Sequence, residues 1–127
     1  MASYTPPKAS IWFKIPVADM DAAQRFYGAV LQNELTHEET GPNPIAMFAA
    51  QDRMASGHLY PGKPAPAGTG PTVHLAVAAP IEDGLKRVAD NGGQVVSPVI
   101  DIPSGRFAYC LDPDGNSFGL FVPAVAA

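Results

Sequence analysis

His74 follows Thr72 by two residues in the stretch Thr72-Val73-His74-Leu75-Ala76-Val77. In an extended strand the two side chains project from one face, so a hydroxyl and an imidazole are presented together. Such an imidazole is either a general base or a structural histidine held by a hydrogen bond, and both readings stand for His74. Tyr109, in the apolar run Arg106 to Leu111, is either a core aromatic or a phenol facing a ligand. His37 lies in the polar stretch Thr36 to Thr40 and is expected in solvent. Cys110 also sits in an apolar run. It has no flanking cation or helix start to lower its pKa, so it reads as a packing residue rather than a nucleophile.

Other chemistries lack their residues. No Gly-x-Ser-x-Gly elbow exists for a serine hydrolase, and no Gly-Lys-Ser/Thr loop exists for phosphate. Asp112-Pro113-Asp114-Gly115-Asn116 begins like a calcium loop but lacks the later Asp and the closing Glu. It reads as a tight turn, in which Pro presets one dihedral and Gly takes the positive one. Twelve acids against eight bases leave a net charge of -4, spread without blocks, which argues against a nucleic-acid partner. No apolar run nears the roughly 18 residues of a membrane span. Met1 to Lys8 lacks the apolar core of a signal peptide. A single cysteine rules out an intramolecular disulfide and fits a reducing cytoplasm.

The elements that position these residues are written twice. Ile11 to Asp19 reads as a strand leading into an amphipathic helix from Asp21 to Leu31, with Asp19 as N-cap. Ala22, Ala23, Phe26, Tyr27, Val30 and Leu31 recur at helical spacing. Gly28 within that helix suggests close packing against a sheet. Strands follow at Ile45 to Ala50 and Ser56 to Tyr60, turning at Gln51-Asp52-Arg53, with Glu38 to Pro44 as a loop. After the Pro/Gly-rich linker 61–71 the plan repeats. Thr72 to Val77 is a strand and Ile81 to Asn91 a helix, with Pro80 at its start and Gly92-Gly93 at its end. A strand from Gln94 to Ile100 breaks at Pro98, and strands at Arg106 to Leu111 and Ser117 to Val122 flank the Asp-Pro-Asp-Gly turn. The chain is thus one domain of two modules, about 9–60 and 71–123, each strand, helix, then about three strands.

That order, with Ile15-Pro16-Val17-Ala18-Asp19-Met20-Asp21, Phe26-Tyr27, Val30-Leu31, Asn91-Gly92-Gly93 and Asp112-Pro113-Asp114-Gly115-Asn116 before Phe118 and Leu120, resembles the vicinal oxygen chelate superfamily. This superfamily includes glyoxalase I, the fosfomycin- and bleomycin-resistance proteins and the extradiol dioxygenases. The resemblance implies an α+β fold in which two tandem βαβββ modules form curved mixed sheets around a cavity. It also implies a homodimer whose cavities the partner completes. The family's usual chemistry uses a divalent metal held by about four side chains. By the resemblance three of those positions fall on Trp12, Thr72 and Gly119, and the fourth near Ser56, Gly57 or His58. Trp and Gly side chains bind no metal and Thr is a poor zinc ligand. His74 and His58 would offer two imidazoles, where a catalytic zinc wants three protein ligands and an open place. The expectation is therefore no bound metal and no cofactor.

The same resemblance places Trp12, Lys14, Met47, Thr72, His74, Phe107, Tyr109, Ser117, Gly119 and Phe121 on the concave wall. In fosfomycin-resistance relatives a Tyr three residues before the turn Asp contacts the ligand, as Tyr109 would here. Trp12 either stacks on a ligand or plugs the cavity. Lys14 either snorkels to solvent or binds an anion. Gly119, in place of the usual Glu, opens volume for a ring. A wall so rich in aromatic groups suits a small-molecule binding protein. The alternatives are a glyoxalase-like lyase or dioxygenase-related enzyme, a metal-free acid–base catalyst using His74 and Tyr109, or a structural domain with a filled cavity. Strand parity predicts that His74 and Tyr109 share one face, with Val73, Leu75, Ala108 and Cys110 on the helix side.

Overall fold

Alternation of buried and open side chains along the strands organises this fold. The structure is a computed structural model that describes residues 3–39, 41, 43–53 and 55–124. The first half runs β1 (Trp12–Val17), α1 (Met20–Leu31), β2 (Thr36–Glu38), β3 (Ile45–Met47) and β4 (Ser56–Pro61). The second runs β5 (Val73–Ala76), α2 (Ile81–Asp90), β6 (Gln94–Val95), β7 (Ile100–Ile102), β8 (Gly105–Leu111) and β9 (Ser117–Pro123). The strand order is β1-β4-β3-β2 in one sheet and β5-β9-β8-β6 in the other, with β7 also on β8. In each half the first strand pairs parallel with the last, and the remaining pairs are antiparallel. These are two mixed sheets, not closed into a barrel, in an α+β fold.

The helices form where the sequence predicts them. The Asp19 carboxylate accepts from the Ala22 N–H at 3.0 Å and caps α1. Ala23, Phe26, Tyr27, Val30 and Leu31 are its buried face. Ile81, Gly84 and Val88 are that of α2. Under the helices lie Ile15, Val17, Ala46 and Leu59 from one sheet and Leu75, Ala108, Cys110, Phe118 and Leu120 from the other. Edge-on ring contacts tie the halves together: Phe26 and Tyr27 of α1 meet Phe118 of β9 at 6.0 and 5.6 Å between centroids.

The Asp-Pro-Asp-Gly turn is a second tie. The buried Asp112 carboxylate accepts from the Tyr27 hydroxyl at 2.6 Å and from the Asn116 side-chain amide at 2.9 Å. It also accepts from the backbone N–H groups of Asp114 and Asn116, both at 2.9 Å. Asn116 donates onward to the Pro16 carbonyl at 2.8 Å, reaching the end of β1. A carboxylate so satisfied by its own turn and a helix phenol is structural, and the turn reading holds over a calcium loop.

Four expectations need correction. Thr36–Glu38 is a strand, β2, so Glu38 belongs to a strand rather than to the loop. Its polar composition carries no apolar alternation to announce it, while the residues at 40 and 42 of that loop lie outside those described. The strand expected from Ile45 to Ala50 ends at Met47, because the side-chain amide of Asn33 takes both backbone groups of Ala49. The interrupted strand Gln94 to Ile100 is two short strands, β6 and β7, both paired with β8. Gly28 packs near the Asn33 carbonyl rather than a sheet. The glycine that allows a helix close to its sheet is Gly84, where a Cβ would lie 2.9 Å from Leu120 Cδ2.

Candidate functional site

The core-averse face of each sheet carries its own cluster. On β5, β8 and β9, the His74 ring meets Phe107, Tyr109 and Phe121 edge-on at 5.2, 6.0 and 6.0 Å between centroids. Phe107 also stacks on Phe121 at 5.8 Å, with 8° between their planes. The register explains the grouping: His74 pairs with Gly119, Phe107 with Phe121, and Tyr109 with Gly119. Strand parity therefore places these side chains on one face, while Leu75, Ala108, Cys110, Phe118 and Leu120 fill the core. Tyr109 remains 38% exposed while Phe107 is buried, so the cluster has an apolar floor and an open phenol.

Gly119 is where the His74 ring rests. A Cβ there would meet the imidazole, 2.5 Å from Cε1. The volume released by the missing side chain is filled by this chain's own histidine. Thr72 and Ser117, at the start of β9, share a hydrogen bond at 2.7 Å between hydroxyls.

On the first sheet, Trp12, Lys14, Met47, His58 and Tyr60 share the corresponding face, since Lys14 pairs with His58 and His58 with Met47. The Trp12 indole donates its Nε1–H to His58 Nδ1 at 3.0 Å. The Lys14 ammonium lies 4.8 Å from the centroid of the Tyr60 ring, a cation–π contact. Burial, and then the nearby Lys14 charge, lower the pKa of His58. Tyr60 is absent from the expected wall. The parity of β4 would have placed it there, since it lies two residues beyond His58.

One residue of each cluster, His74 and Lys14, borders clefts lined by residues of β1 and β5. One, of about 420 Å³, is lined by Ile11, Phe13, Ser56, Thr72, Val73 and His74 among others. An adjoining cleft of about 250 Å³ shares Phe13, Ser56 and His74 and reaches Phe48 and Leu75. A smaller one, about 120 Å³, brings Lys14 and Ser117 to one space beneath the linker at Thr69 and Gly70. Val73, expected on the helix side, and Phe13 also border these clefts because β1 and β5 are both sheet edges.

The divalent metal that the sequence resemblance implies does not fit the described residues. Among those described, no three His, Cys, Asp or Glu side chains gather in a group that could hold an ion. The position of Gly119 in its sheet is that of His58 in the other, as the registers of Leu120 with Leu75 and Leu59 with Ile15 show. One of these two places is covered by the His74 ring, and at the other the imidazole Nδ1 is occupied by Trp12.

Cys110 is fully buried, and burial pushes its thiol up to about 11, which leaves no thiolate for chemistry near neutral pH. His37 is exposed, 3.4 Å from Glu39. No helix among the described residues is long and apolar enough to cross a membrane.

Residues 10–120 match the family model of the Glyoxalase/Bleomycin resistance protein/Dioxygenase superfamily. Among curated proteins the chain is 34% identical, over 122 aligned residues, to CFP32 of Mycobacterium tuberculosis and of Mycobacterium bovis, described as a provisional glyoxylase. The match covers 90% of this chain but 44% of the relative, so the chain spans less than half the length of the curated proteins it matches. Among solved structures, a glyoxalase/bleomycin resistance protein from Albidiferax ferrireducens superposes with a TM-score of 0.71 at 18% identity, covering 92% of this chain and all of the other. TnmS3, an antibiotic binding protein from Streptomyces, does so with 0.65 at 24% identity, covering 95% and 100%. The fosfomycin resistance protein FosX from Mesorhizobium loti gives 0.66 at 16% identity, covering 96% and 95%. At these identities the structures establish a shared fold.

Proposed function

This chain belongs to the glyoxalase/bleomycin resistance protein/dioxygenase superfamily, and we propose that it serves there as a metal-independent binding protein for a small hydrophobic or aromatic molecule. The observation that carries the reading is the fate of the ligand positions. Trp12 is bonded to His58, Thr72 to Ser117, and the His74 ring covers Gly119. What replaces a metal centre is a set of ring faces and a few polar tips, the usual make-up of a small-molecule pocket. The antibiotic binding protein TnmS3 shares the fold and lends the reading precedent.

The working unit is a homodimer, and its cytoplasmic placement fits the lone buried cysteine. Both β1 and β5 are unpaired at one edge, and Trp12 and Tyr109 are each 38% exposed, so a closed twofold assembly would cover edges and rings together. A second reading, acid–base catalysis by His74 and Tyr109, is favoured by their shared face and 6.0 Å ring separation.

Native mass spectrometry of protein purified without chelator or affinity tag distinguishes the readings. A retained organic molecule, with no stoichiometric metal, is the expected result. Stoichiometric zinc, nickel or iron, or a chelator-sensitive lyase activity, would overturn it. Turnover that survives chelator and is lost in His74→Ala would establish the acid–base reading instead.

A further inference from the structure

Lys14 and His58 are direct partners across the parallel β1–β4 pair. Their sequence neighbours Ile15 and Leu59 are buried in the core, so both side chains leave the opposite face, with Trp12 and Tyr60 beside them. A neutral imidazole carries a single N–H. Because His58 Nδ1 accepts from Trp12, that hydrogen is on Nε2. His58 thus presents a donor to this face with its tautomer set by Trp12. Among the described residues no acceptor takes that donor.

Lys14 is equally uncommitted. Among the described residues, no carboxylate lies within ion-pair distance of its ammonium, which rests over the Tyr60 ring beside His58. The acid on the same sheet face, Glu38, is on β2, three strands from β1. At about 4.8 Å per strand the separation is roughly 14 Å, beyond a Debye length of about 8 Å at physiological salt. An ammonium and an N–H donor side by side, flanked by two aromatic faces, make a surface complementary to a flat molecule that ends in an anion. Charge-assisted bonds from such groups are about twice as strong as neutral ones.

We infer that the β1–β4 face is the polar end of the binding site, and that its ligand is an aromatic carboxylate. Its anion is held by the Lys14 ammonium and His58 Nε2–H, with its ring against Trp12, while the Tyr60 ring stays beneath the ammonium. This rests on the small-molecule-binding reading above and specifies the ligand class for it.

Trp12 is the sole tryptophan of the chain, so its fluorescence reports on this face without a label. The test compares biphenyl-4-carboxylate with the isosteric, uncharged biphenyl-4-carboxamide by calorimetry on the full chain at neutral pH, with Trp12 emission as second readout. The carboxylate is expected to bind at least tenfold more tightly. Lys14→Met and Lys14→Gln are expected to erase that difference. Equal affinities in the unaltered protein would overturn the anion assignment and leave the binding reading intact. A carboxylate preference that survives both substitutions would place the anion elsewhere and also overturn it. Binding of neither compound would remove this inference and the pocket reading together.

Discussion

The imidazole of His74 lies across Gly119, its partner on β9, so closely that a Cβ at that glycine would overlap the ring. Two residues that each look dispensable are therefore one packing unit. The glycine has no side chain so that the histidine can hold its place among Phe107, Tyr109 and Phe121.

Gly119→Ala accordingly carries opposite signs in two backgrounds. In the unaltered chain it expels His74 from its ring contacts and is expected to destabilise by about 1 kcal/mol. With His74→Ala present, the added methyl finds space, and relief of glycine's backbone entropy is expected to stabilise by about 0.5–1 kcal/mol. Urea midpoints of the four proteins complete the cycle. Stabilisation in both backgrounds would show that the ring does not occupy the site.

The surroundings of His58 make a second prediction. Burial and then Lys14 hold the pKa of His58 below its ordinary 6.5, so the unfolded chain takes up a proton before the folded one as pH falls. The associated stability is complete above about pH 6.5 and is lost as pH drops through the lowered value. Lys14→Met removes one cause and is expected to raise the pKa in an NMR titration, though not fully, because burial remains. An unchanged titration would place Lys14 too far away to matter.

Alkaline pH tests the core. Burial raises the Cys110 thiol from 9.0 to about 11, and burial, with the Asp112 charge next, raises the Tyr27 phenol well above 10.0. The folded chain keeps protons that the unfolded chain releases, so stability is full below about pH 9 and falls as pH climbs toward 11. Cys110→Ala lowers stability at every pH but is expected to flatten that slope between pH 9 and 11. A slope that stays the same in Cys110→Ala would mean that the thiol is not protected.

Tyr27→Phe removes the 2.6 Å bond to the Asp112 carboxylate. A hydrogen bond to a charged group contributes about 1.5–3 kcal/mol, and a loss in that range is expected by urea denaturation at neutral pH. The carboxylate keeps its turn and Asn116 donors, so the fold should survive with unchanged far-ultraviolet dichroism. A loss below about 0.5 kcal/mol would show that Asp112 is held by its own turn alone.

The proposed homodimer is open to light scattering. One chain is 13.3 kDa, and roughly twice that mass is expected at micromolar concentration. A species of one chain's mass throughout would remove the assembly and its account of the exposed edges.

Much of this protein is legible in its sequence. The periodicity of α1, the Asp19 cap, the glycine stop after α2 and the Asp112–Asn116 turn depend on residues close in sequence, where local sterics and hydrogen bonds decide. Strand parity likewise placed Leu75, Ala108 and Cys110 in the core and His74 with Tyr109 on the other face, because a period of two needs no knowledge of partners. Register was beyond it. That His58 stands beside Lys14 and accepts from Trp12, or that Gly119 lies beneath His74, depends on parallel pairing of strands some 45 residues apart, which no local pattern encodes. The polar strand β2 was illegible for a related reason, since only its pairing with β3 makes Thr36–Glu38 a strand. Sequence alone determined which residue types were available and which face each would take. Tertiary structure decided which of them touch, because contact between distant strands is set by sheet register and core packing together.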